Sequence, residues 1–157
     1  MAYRKLHITN VYEFKDILAR AMGGRIAEQI IYGDDGIITG AGSDLRKATE
    51  IARDMVIEQG MGRSLRDQVF HEDNGGLMFD KMTRERPYSD ETAKLIDQEV
   101  SQLITEAKQR AMLVLKANRP FLDKLAEALL KDETLEEAAV DEILSGTKLP
   151  KEAKLHA

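Results

Sequence analysis

Asp44 is the carboxylate in this sequence best placed for chemistry, because it follows a glycine-rich segment, YGDDGIITGAGSD, and falls in the first turn of the helix that begins there. The helix dipole favours the anionic form at that position, which is the form a metal ligand needs. Aspartate is also common near helix N-termini for purely structural reasons, and the residue alone does not separate the two roles. Asp34 and Asp35, earlier in the same segment, are either ligands for a divalent cation or two surface carboxylates. The glycines Gly33, Gly36, Gly40 and Gly42 make neither a GxGxxG nor a GK[ST] pattern after a strand, so no phosphate cradle is read there. Histidine occurs only at His7, His71 and His156, so no two histidines stand four apart as a zinc-binding helix requires. His71, in HEDN, pairs with Glu72 or Asp73 or is simply solvated. The chain has no cysteine, which excludes a disulfide framework, a thiolate nucleophile and cysteine metal sites. A metal-dependent hydrolase would therefore need ligands these residues do not supply. Met55, Met61, Met78 and Met82 read as core or loop packing before they read as a binding groove.

Charge and length narrow the partners. The sequence holds 28 acidic and 23 basic side chains for a net charge of −5, against the clustered positive charge with which proteins displace phosphate counterions. Nucleic acid is therefore not expected as a partner. A chain of 157 residues suits one domain able to bury roughly 70% of its unfolded surface. No apolar run approaches the ~20 residues that cross a bilayer, and MAYRKLHITN lacks the apolar centre of a signal peptide, so no membrane span is expected. Absence of cysteine is compatible with a reducing cytoplasm.

The elements that must position these residues are helical. Few prolines, 5% aromatics and abundant Ala, Leu, Glu and Lys predict an all-α chain built as a bundle-like domain with one irregular central loop. The first helix starts at Asn10, capped by that side chain with Glu13 reaching back, and carries Val11, Phe14, Leu18 and Met22 on one stripe. Gly23 and Gly24 inside it mark a kink or a close backbone approach. The second starts near Ser43, buries Leu45, Ala48, Ala52 and Met55 or Val56, and ends at Gly60. Residues 61–87 lose the helical pattern, and Asn74-Gly75-Gly76 before Leu77, Met78 and Phe79 suggests a turn beside a short strand. A long helix enters through Pro87-Tyr88-Ser89 and runs to about Ala117, with Ile96, Val100, Leu103, Ala107 and Val114 on one side. Arg119-Pro120 interrupts it, Phe121 to Lys131 forms a shorter helix turning back, and Thr134-Leu135-Glu136-Glu137 predicts a capping box for a last helix holding Val140, Ile143 and Leu144, closed by Gly146. Residues 1–146 are expected to form a single helical domain, and 147–157 a flexible tail.

Three stretches, GGRIAEQIIYG from Gly23, TGAGSDLRKATEIARDMVIEQGMG from Thr39 and YSDETAKLIDQEV from Tyr88, together resemble the peptidase domain of FtsH-type ATP-dependent zinc metalloproteases. The resemblance runs from about Thr9 to Leu144, including an LxxLAxALLxxETL-like pattern near the end. It implies a mainly helical peptidase domain that follows an AAA-type ATPase module and a membrane anchor. It also implies a bacterial hexamer on the cytoplasmic face that degrades unfolded or membrane proteins. In that family zinc is held by two histidines of an HExxH helix and an aspartate of a TGA-x-x-D-L stretch, and the HExxH glutamate is the general base. Asp44 matches the aspartate, as the third zinc ligand. Three protein ligands leave one zinc position for a water whose pKa falls to about 7.

This sequence contains no HExxH, and its Gly42-Ser43 stands where the family carries a small residue and asparagine. The resemblance thus implies the carboxy-terminal portion of such a zinc metalloendopeptidase, incomplete at its amino-terminal side, neither retaining zinc nor cutting substrates as an isolated chain. The alternative is a standalone, non-catalytic helical module of the same fold that binds FtsH-type hexamers or another partner.

Overall fold

In the computed structural model, residues 9–70 and 88–155 are described, and these form helices α1 (Val11–Tyr32), α2 (Gly42–Ile57), α3 (Asp90–Ala117), α4 (Arg119–Asp132) and α5 (Glu137–Leu144) with no strand among them. The all-α expectation holds. The turn and strand expected at 74–79 lie outside the described residues.

Local signals set most of the boundaries. Asn10 accepts from the backbone N–H of Glu13 while Glu13 accepts from that of Asn10, each at 3.0 Å, so the capping box at the start of α1 is formed. Ser89 caps α3 through the N–H of Thr92, and Pro120 occupies the first turn of α4, where its missing N–H costs nothing. Gly60 ends the turn after α2 at a φ of 59°. At Gly23 and Gly24 the helix neither breaks nor meets another backbone: α1 is continuous for 22 residues, and a Cβ at either position would touch nothing within 4 Å.

The core is a three-helix contact. Leu18, Met22 and Ile26 of α1 meet Ala48, Ala52 and Met55 of α2 and Ala107 and Ala111 of α3, all buried, with Val11, Phe14, Leu45, Val100 and Leu103 packed around them. Alanines four apart on α2 and on α3 put small side chains at the helix contacts and leave room for the larger residues of α1. Burying each of Leu18, Ile26 and Met55 contributes about 1.5–3 kcal/mol. A second cluster, Val56, Ile57, Leu65 and Ile96, sits under the α2–α3 connection. Both Met55 and Val56 are buried, one in each cluster.

Three features mark the carboxy-terminal side. First, α4 packs mainly with α5 and touches α3 over few residues, and neither α4 nor α5 buries a side chain fully, so the bundle is α1–α3 with a helical pair appended. Second, the capping box at Thr134 is not made. Glu133 takes a φ of 56°, Thr134 N–H turns back to Asp132 O, and α5 starts one residue after Glu136 with no side-chain cap. Third, residues 147–155, which the sequence places in the tail, make defined contacts with α3. Ala153 is 1% exposed in a short turn packed on α3, Arg110 Nε donates to Ala153 O at 2.6 Å, and the Asn118 side chain brackets Lys148. Beyond α5, Gly146 is bare because a Cβ there would lie 2.7 Å from the Phe121 ring.

Candidate functional site

Asp44 is the third residue of α2, and the loop that leads to it runs from the end of α1. Gly33 closes α1 in a positive-φ conformation (76°), with its N–H donating to Gln29 O at 3.0 Å. Two short 3-10 turns follow, Asp34–Gly36 and Thr39–Ala41. Gly36 must be glycine, since a Cβ there would overlap the Cβ of Tyr32. Arg25 on α1 donates to Ile38 O at 3.0 Å, and Ala41, 6% exposed, is anchored at the edge of the core. The loop is thus stapled to α1 on one side and seated on the other.

The first turn of α2 has no side-chain cap, because Ala41 occupies the capping position. Its amides keep their partial positive charge, and Asp44 is the one acidic side chain in that turn. The carboxylate is exposed. Gly42 is ordinary α-helix at a φ of −61°, with open space where a Cβ would be, so neither its backbone nor its surroundings require a glycine here.

The neighbouring carboxylates are arranged differently. Asp34 accepts a hydrogen bond from Gln29 Nε2, which ties it to α1, while Asp35 is exposed. Periodicity gave no warning of Glu28. This α1 residue has one oxygen buried without a hydrogen-bond partner among the described residues, and its other oxygen is 4.0 Å from where a Gly40 Cβ would stand. A charged residue on a helix reads as solvated until the loop that covers it is known. His7, His71 and His156 lie outside the described residues.

A zinc site needs three protein ligands and an open position. The described residues offer carboxylates and no imidazole, and no group of three or more His, Asp or Glu side chains among them is close enough to hold a metal. This donor set fits one contribution to a zinc site and not a complete one, so no catalytic step follows from it. A cavity of about 900 Å³ lies elsewhere, between α1 and the end of α3, with Asp16, Arg20, Gly23, Arg110 and Leu149 in its walls and Asp44 not among them.

Comparison with known proteins adds what geometry alone does not. The model for peptidase family M41 matches residues 4–143. The chain is 43% identical over 129 residues to ATP-dependent zinc metalloprotease FtsH 3 of Synechocystis sp., covering 82% of this chain and 21% of that protein. It is 47% identical over 134 residues to ATP-dependent zinc metalloprotease FtsH of Akkermansia muciniphila (84% and 16%), and 39% identical over 140 residues to the protein of that name from Bacillus subtilis (88% and 22%). The chain therefore spans between 16% and 22% of the length of these relatives.

Proposed function

The chain belongs to peptidase family M41, and on that premise we propose that it is the carboxy-terminal portion of an ATP-dependent zinc metalloendopeptidase in which Asp44 supplies one zinc ligand. The observation that carries this reading is the family match over residues 4–143 together with an exposed Asp44 held at the uncapped start of α2, at the aspartate position of the TGA-x-x-D-L stretch. A carboxylate set on a helix that is fixed by the core is a rigid ligand, and rigidity is what a metal site needs.

The 157 residues carry no HExxH, so the histidine ligands and the general base belong to a separate stretch of polypeptide. The isolated chain neither retains zinc nor cleaves unfolded protein, because affinity comes from several ligands organised together. In its working form the domain is joined to an AAA ATPase module, assembles as a homo-hexamer at the cytoplasmic face of a membrane, and receives unfolded or membrane proteins as substrates. The relatives' names support the ATP-dependent and zinc parts of this reading. No helix among the described residues is long and apolar enough to cross a membrane. Retention of the Asp44 carboxylate favours a working protease over a non-catalytic module, which has no chemical need for it.

The test is metal analysis and casein digestion on the purified chain after dialysis against a weak chelator. Sub-stoichiometric zinc and no chelator-sensitive cleavage are expected; one zinc per chain with chelator-sensitive cleavage would sink the proposal.

A further inference from the structure

Glu99 is 8% exposed although it sits on a helix whose other carboxylates face solvent or ion pairs. Its two oxygens accept from three consecutive backbone amides: Oε2 from Arg63 N at 2.6 Å, Oε1 from Ser64 N at 2.6 Å and from Leu65 N at 3.2 Å. These amides belong to the connection after α2, more than thirty residues away in sequence. Successive amides converging on one point form a concave anion site. Here the anion comes from the same chain.

Gly62 fits this arrangement, since a Cβ there would collide with Glu99 Oε2. The Arg63 side chain is held by the same face of α3: its guanidinium meets Glu106 Oε1 at 2.5 Å, seven residues and two turns along from Glu99. Glu106 also takes Lys15 Nζ of α1 at 3.1 Å and Gln102 Nε2 at 3.2 Å. One stripe of α3 thus grips backbone and side chain of the connection and reaches α1.

We propose that the Gly62–Leu65 turn is an anion-binding site permanently filled by Glu99, and that Glu99 is the positioning residue that fixes residues 62–65 against α3. A carboxylate offers about four lone-pair directions and no donors, which suits three incoming N–H groups. Glutamine has the same size, yet its NH₂ group must face at least one of those amides. Volume and charge can therefore be separated.

Amide hydrogen exchange on the full chain tests this, using wild type, Glu99→Gln, Gly62→Ala and the double variant. In the wild type, the amides of Arg63, Ser64 and Leu65 are protected although they lie outside any helix, and those of Arg63 and Ser64 resonate downfield. Either single variant raises exchange at these three by at least tenfold, leaves Leu18, Met22 and Ile26 in α1 unchanged, and is not worsened by the other. A filler of space predicts no change in Glu99→Gln, and that result overturns the proposal. So does a uniform rise that includes α1. Should a variant fail to fold, the wild-type rates decide alone: exchange of Arg63 and Ser64 at free-loop rates also overturns it.

Discussion

Asn118, 8% exposed, donates from Nδ2 to Val114 O and to Lys148 O, both at 2.8 Å, and accepts from Lys148 N at 2.8 Å. A single amide therefore closes the end of α3 and fastens the segment beyond α5 to it. Asn118→Ala leaves the Lys148 backbone groups without those partners and should cost about 1–3 kcal/mol. Chemical denaturation measures the loss, and limited proteolysis should now cut within 147–155; unchanged cleavage would mean that Arg110 and Ala153 hold the segment unaided. Asn118 and Glu99 share a history in the sequence. Each is a polar residue on a helix or at its end that no local spacing singled out, and each is covered by a segment distant in sequence. The place of Asp44 in the first turn of α2 was legible for the opposite reason, since the signals that set it are its neighbours in sequence.

Among the elements, the signals that could be read were those acting over one or two turns. The Asn10–Glu13 box, the Ser89 cap, Pro120 and the stripes of α1, α2 and α3 all depend on residues three or four apart. The Thr134 box failed because the positive φ of Glu133 turned the chain before the box could close. Of the two readings of the paired glycines in α1, a close backbone approach is not what they serve, for the space beside them is open. Gly24 is exposed within a continuous helix, so Gly24→Ala should stabilise the chain by about 0.4–1 kcal/mol through loss of unfolded-state freedom. A rise in Tm would be seen in thermal unfolding; a fall would reveal strain that the open surroundings do not show. Leu18→Ala, at the centre of the three-helix contact with 0% exposure, should cost about 2–5 kcal/mol by the same measurement. A loss below 1 kcal/mol, the scale of one buried methylene, would place the core elsewhere.

For the molecule as a whole, the three stretches that carry the family resemblance come together physically. The first forms the second half of α1 and its glycine stop, the second the loop and α2 with Asp44 and the turn at Gly62, and the third the start of α3 with Glu99. Arg25 on the first holds Ile38 just before the second, and Glu99 on the third holds Arg63 just after it. Fold and family were thus readable from the chain, while the histidines and base that the proposed zinc chemistry needs are not among these 157 residues. The most direct test restores them. A chimera joins the preceding part of the Akkermansia muciniphila relative, up to the matched region, to this chain, and zinc is measured with Asp44 and with Asp44→Asn. About one zinc per chain with Asp44, lost on dialysis in the variant while its helical circular dichroism is unchanged, is the predicted result. Equal zinc retention by both proteins would contradict the assignment of Asp44 as a ligand.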